Sequence, residues 1–255
     1  TTLPAALIMS VWDDGLGALR LATVLTGILT LPLLYLLARM FVDTGPALLA
    51  VFLLAVARVD IHFSRQGMNN IQTAPLTVAA IYFLLRALRN KSISTALISG
   101  AVAGAAVYSY FSGRFIPLII GCVIVFALFK DLRSWRTYIG LGLASAAAAA
   151  IVAAPMLGYY LADMRRFLSH PTGNLWMNNI AHVTGGDPTI TMSTIWQRQL
   201  DPTFWSFNLY RDSSGQYGAD ATLLDPATSI LFFIGLAICL YRWKETGHFM
   251  LLAWY

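Results

Sequence analysis

The chain has 255 residues, 58% hydrophobic and only 11% charged, with a net charge of +5. A soluble domain carries about 45–50% apolar and about 25% charged residues, so a soluble globular protein is excluded. The apolar residues come in continuous runs of about 20, the length of a helical membrane span; they do not alternate in polarity, which excludes a strand-built barrel, and the cations flank them as topology signals rather than as a nucleic-acid footprint.

Thr1 to Trp12 is apolar but short and reads as an interfacial helix, broken by Asp13, Asp14 and Gly15. A first span is expected from about Leu16 to Phe41 and a second from about Ala47 to His62. The second ends in a polar tip, RVDIHFSRQGMNNIQTAP, from Arg58 to Pro75. A third span runs from about Ile71 to Leu88 and a fourth from about Ser94 to Phe111. The fourth is rich in Gly and Ala, which permits close helix packing. A fifth covers about Phe115 to Phe129 and a sixth about Tyr138 to Leu161. After about sixty mostly polar residues, a seventh span runs from Pro226 to Leu240 and an eighth begins at Phe249. The expected fold is an all-α polytopic transmembrane bundle with about seven full spans and a truncated eighth. It divides into a helical core (1–161), an extracytoplasmic loop with short helices (162–225) and C-terminal helices (226–255). Thr1 is not a start methionine and the last apolar run stops early, so the sequence reads as the interior of a longer membrane protein.

Sidedness follows from the cations. Arg39, the group Arg86, Arg89 and Lys91, the group Lys130, Arg133 and Arg136, and the pair Arg242 and Lys244 alternate with the other span ends. The positive-inside rule makes those ends cytoplasmic. The opposite face then receives Asp13, Asp14, the Arg58–Pro75 tip, the turn around Arg114 and the long loop. Polar residues without a topological role gather there.

Among them Arg65 sits at the tip with His62, Gln66, Asn69 and Asn70 around it. A lone interfacial arginine snorkels to lipid headgroups, whereas this one belongs to a polar cluster. Arg58 lies about two helical turns earlier, where a structural partner on another helix and a role in substrate binding are both open. Arg114 follows Tyr108 and Tyr110 in YSYFSGRF and shares the face of Arg65. Guanidinium groups suit phosphate because they donate in a planar fork and stay charged, so Arg65, Arg114 and Arg58 are the candidate cradle for a lipid phosphate, lined by His62, Gln66, Asn69, Asn70 and Tyr110. His62, His170, His182 and His248 show no metal spacing, and neither a metal nor another cofactor is expected. Cys122 and Cys239 lie inside apolar runs and read as small buried hydrophobes. The long loop carries carboxylates from Asp163 to Asp225 and several aromatic residues without a specific pattern.

The runs GALRLATVLTGILTLPLLYLLARMF, SRQGMNNIQTAPLTVAAIYFLLRAL and YSYFSGRFIPL together resemble the polytopic GT-C glycosyltransferases. Within these they are most similar to the branch of protein O-mannosyltransferases and bacterial aminoarabinose transferases, over most of the chain from about Leu3. The resemblance implies an inverting transferase that takes a sugar from a polyprenyl-phosphate donor on the extracytoplasmic side of a bacterial inner membrane. It also implies arginines that hold the donor phosphate, with Arg65 and Arg114 at the matching positions. Asn70 stands where relatives often carry an acidic residue. The family's catalytic acidic motif belongs to the first outer loop and is expected upstream of Thr1. The acceptor stays open. Two other classes compete: a non-catalytic scaffold subunit within a larger membrane complex, and a lipid or solute transporter, against which the polar residues concentrate at one face instead of the midplane.

Overall fold

The computed structural model describes residues 3–12, 15–164 and 222–255, with scattered positions between 190 and 209. Asp13, Asp14, His170, His182 and most of the long loop lie outside the described residues. Every regular element described is helical. They are α1 (Leu3–Met9), α2 (Gly15–Ala38), α3 (Thr44–Val56), α4 (Arg58–Arg65), α5 (Thr73–Asn90), α6 (Ile93–Ala106), α7 (Ile116–Lys130), α8 (Trp135–Ala162), α9 (Pro226–Tyr241) and α10 (Thr246–Trp254). Short 3₁₀ turns at Asn69–Gln72, Phe111–Phe115 and Leu132–Ser134 lead into α5, α7 and α8.

Four segments are long and apolar enough to cross a membrane: Gly15–Ala38, Asn69–Asn90, Phe111–Lys130 and Leu132–Ala162; the pair Thr44–Val56 and Arg58–Arg65 makes a fifth if it is one broken span. That pair differs from the single second span expected from the sequence. Ala57 is extended (φ −64°, ψ 124°), and α4 leaves α3 at 52°. The physical reason is composition. α3 is apolar after Thr44, whereas RVDIHFSR puts charge on most turns and cannot continue straight through hydrocarbon. The fourth expected span is also shorter than read, since α6 stops at Ala106 after 14 residues. Pro226–Tyr241 is likewise a short apolar helix.

The residues fall into two compact units, Thr1–Ala154 with Ile230–Tyr255, and Pro155–Ser229. In the second, Asp225 caps α9: its Oδ1 accepts from the amides of Ala227 and Thr228 at 3.0 and 3.1 Å, and hydrogen bonding from Thr228 holds its carboxyl below the ordinary aspartate value.

In the first unit α5 is central. Ala80, Ile81, Leu84 and Ala87 are fully or almost fully enclosed and join Leu37 of α2, Ala103 of α6, Val123 of α7, Leu141 of α8 and Met250 of α10 in one core. Lipid is as apolar as leucine, so close packing rather than water exclusion holds such helices together. Small residues supply the contact. Buried Ser99 on α6 donates to the Ala80 carbonyl at 2.8 Å. A Cβ on Gly100 would fall on the carbonyl oxygen of Ser145, and one on Gly104 would meet that of Ala149 at 2.6 Å. The backbones of α6 and α8 therefore touch.

Helix ends define two opposite faces of this unit. At one end Asn69 Nδ2 donates to the Ser109 carbonyl at 3.0 Å, and the turn at Gly67 packs on Leu19 near the start of α2. At the other, Lys91 Nζ donates to Ser134 Oγ at 3.0 Å, and Phe41, Arg89 and Arg242 share one recess. The 18 residues of α5 separate the two by about 27 Å. The polar tip thus stands at the end away from the cation-rich turns.

Candidate functional site

The tip owes its geometry to the break at Ala57. Once α4 restarts at Arg58, residues 58, 61, 62 and 65 fall on one helical face, because positions three and four apart are neighbours. They line a cleft of about 730 Å³ together with Gln66 and, from α2, Arg20 and Val24. Asp60 lies off this face and meets α2 where Gly27 packs on Ser64. That close approach, 3.1 Å from the place of a Gly27 Cβ to Ser64 Cβ, draws α4 onto α2. Gly67 then turns the chain with φ 74°, a left-handed conformation that glycine adopts without strain.

Three guanidinium groups, those of Arg20, Arg58 and Arg65, line the cleft, and among the described residues no carboxylate does. All three are exposed, and none has a hydrogen bond or ion pair among the described residues. His62 and Gln66 are half-buried, and their side-chain nitrogens lie 2.6 Å apart, so each fixes the other's orientation. Charge–charge attraction at 4 Å is worth about 1 kcal/mol in bulk water and about 4 kcal/mol near a protein surface. Three like charges on one cleft repel one another and suit a ligand of opposite sign.

The sequence reading included Arg58, His62, Arg65 and Gln66 and missed Arg20. The available signal was a single charge one turn inside the apolar run GALRLATV. The remaining candidates stand elsewhere. Arg114 is half-buried in the 3₁₀ turn at Phe111–Phe115, with its guanidinium 4.9 Å from the centre of the Phe111 ring, and is not among the lining residues of the arginine cleft. Asn69 latches the tip to the Ser109 turn, where Thr73 and Ser109 hydroxyls also pair at 3.0 Å. Asn70 Oδ1 accepts from the amide of Ile71 at 3.1 Å. The Tyr110 carbonyl accepts from Gly113, which starts the turn that carries Arg114.

A second cleft of about 890 Å³ opens at the same end. Its walls include Leu19, Leu29, Met68, Pro75, Leu76 and Tyr108 and are mainly apolar. The two clefts are neighbours in sequence on both sides: Leu19 and Gly67 line one, Arg20 and Gln66 the other. Among the described residues no group of three His, Cys, Asp or Glu side chains could hold a metal ion.

The family model for dolichyl-phosphate-mannose-protein mannosyltransferases matches residues 3–159, more than half the chain. The chain belongs to this family. It is therefore related to membrane glycosyltransferases of the GT-C type. The matched segment of this mannosyltransferase relative takes in the arginine cleft, the apolar cleft beside it and the Arg114 turn. Comparison with curated proteins and with solved structures returns no match.

Proposed function

We propose that the protein moves a sugar from a polyprenyl-phosphate donor to an acceptor at the extracytoplasmic face of the membrane, and that the arginine cleft holds the donor's phosphate. The observation that carries this reading is the convergence of Arg20, Arg58 and Arg65 on one cleft that no carboxylate among the described residues lines. Planar guanidinium groups donate to phosphate oxygens in pairs and keep their charge at any working pH. The neighbouring apolar cleft gives the donor's hydrocarbon chain a place beside its headgroup.

In the reaction the acceptor oxygen attacks the anomeric carbon from the side opposite the phosphate. The bond from carbon to the phosphate oxygen breaks, and its electron pair stays on the departing phosphate. Arg20, Arg58 and Arg65 face that growing negative charge, so their attraction strengthens as the bond breaks and lowers the barrier. His62, steadied by Gln66, offers a further polar contact at the cleft. By the family resemblance, the acceptor's proton goes to the acidic residue of the first outer loop.

The test is release of polyprenyl phosphate from polyprenyl-phosphate mannose by the full-length protein in membranes. Hydrogen bonds to charged groups contribute about 1.5–3 kcal/mol, so Arg20→Ala, Arg58→Ala and Arg65→Ala should each lower kcat/KM about 10- to 100-fold. Arg133→Ala, at the far end, should leave it unchanged. Full activity in all three cleft variants would move the phosphate elsewhere.

A further inference from the structure

The end of the bundle away from the arginine cleft carries its own recess, of about 370 Å³. It is bounded by Phe41 after α2, Arg89 at the end of α5, Tyr138 on α8, and the turn from Arg242 to His248 that joins α9 to α10. Its one lining carboxylate is already engaged on both oxygens. Arg242 Nε donates to Glu245 Oε1 at 2.8 Å, and His248 Nδ1 lies 3.2 Å from Oε2. Phe41 meets the His248 ring edge-on with centroids 5.9 Å apart. A Cβ on Gly247 would stand 2.7 Å from that phenyl ring, so the turn is seated tightly on α2's end.

What the recess has left over is donors. Among the described residues the guanidinium of Arg89 makes no hydrogen bond or ion pair, and Arg242 engages only its Nε. The Tyr138 hydroxyl likewise has no hydrogen-bond partner among them. The amides of Thr246, Gly247 and His248 precede the first helical bond of α10, which runs from Phe249 N–H to the Glu245 carbonyl, and no side chain caps them. Among the described residues the one carboxylate that lines it is the occupied Glu245. Two guanidinium forks on separate elements, a phenol and a helix start suit an anion that presents several oxygens in different directions. A tetrahedral phosphate does this; a planar carboxylate offers its oxygens in one plane.

We propose that this recess binds a phosphate group, from a membrane phospholipid or from a soluble phosphate, at the membrane face opposite the arginine cleft. The site is independent of the transfer reading above, because it uses none of the same residues.

The experiment uses full-length protein in a phosphate-free maltoside detergent, with Arg20→Ala and Arg65→Ala introduced to suppress phosphate binding at the other cleft. Inorganic phosphate and, separately, dihexanoyl-phosphatidic acid are titrated by calorimetry. Saturable binding of at least one probe is expected, weakened about tenfold or more by Arg89→Gln and by Arg242→Gln. Arg133→Gln, a cation of the same end outside the recess, should have no effect. Binding of phosphatidic acid alone identifies a lipid headgroup as the source; comparable binding of both identifies the phosphate as sufficient. The proposal fails if neither probe saturates, if binding survives Arg89→Gln, or if Arg133→Gln weakens it equally. Arg89 is exposed, so its substitution leaves packing intact even should Arg242→Gln disturb the turn.

Discussion

The spacing of α2 and α4 sets where the guanidinium groups stand, and it can be changed without touching any of them. A Cβ on Gly27 would lie 3.1 Å from Ser64 Cβ, whereas relaxed carbon contacts need about 3.5–4.0 Å. Gly27→Ala therefore pushes the helices apart by about 0.5 Å at that point. Its effect on stability is small: overpacking costs about 1–3 kcal/mol, and alanine returns about 1 kcal/mol of helix propensity. Its effect on transfer is larger. A displacement of about 1 Å can cost about 100-fold, so half of that predicts about a tenfold loss in kcat/KM, or about 1.4 kcal/mol. The assay is polyprenyl-phosphate release in membranes, run for Gly27→Ala, Ser64→Gly and the double variant. Ser64→Gly removes the opposing carbon, so the double variant should regain most of the loss relative to Ser64→Gly alone. Wild-type kcat/KM in Gly27→Ala, or no coupling between the two positions, would refute the idea that this contact sets the cleft.

Two further outcomes concern the scaffold. Gly100→Ala drives a Cβ to 2.7 Å from the Ser145 carbonyl carbon and should destabilise the protein by about 2 kcal/mol or more. Gly140→Ala, with nothing within 4 Å, should be neutral or stabilising by up to about 1 kcal/mol; equal melting shifts in detergent would deny the backbone contact of α6 and α8. Hydrogen bonding from Arg242, aided by the charges of Arg242, His248 and Lys130, holds the Glu245 carboxyl below the ordinary glutamate value of 4.5. A depressed value means the ionised form is favoured by folding. Its contribution is present above pH 4.5 and is lost as pH falls through the lower folded value. Melting curves of wild type and Glu245→Gln should differ near neutral pH and converge in acid; a constant gap would assign the difference to something other than ionisation.

Much of the bundle was readable because bilayer thickness forces long apolar runs, and these mark α2, α5, α7 and α8 within a few residues. The polar tip was readable for the same reason, since charge between two such runs is conspicuous. The break at Ala57 was not, because alanine favours helix and neither proline nor glycine marks the spot. Arg20 was hidden inside a run classified by its average hydropathy. Placing it in the cleft required knowing that α4 crosses α2 at Gly27, a contact between residues about 35 apart in sequence. Arg114 looked like a companion of Arg65 because both follow spans ending on one face, yet a shared face does not imply a shared cleft. His248 shows no metal spacing in the sequence, and its place beside Glu245 depends on how the 242–248 turn folds.

A helix that restarts part-way leaves amide hydrogens that no preceding carbonyl can satisfy. At Arg58, Val59 and Asp60 those hydrogens fall beyond the apolar α3, where hydrocarbon would leave them bare. Water has to follow them inward. With α4 only 8 residues long and α6 only 14, about 12 and 21 Å, neither helix alone matches a hydrocarbon core of about 30 Å, a mismatch that favours thinned lipid around this end. If the cleft holds the donor as proposed, a sugar carried on a membrane-bound chain meets the arginines at a water line brought down to it.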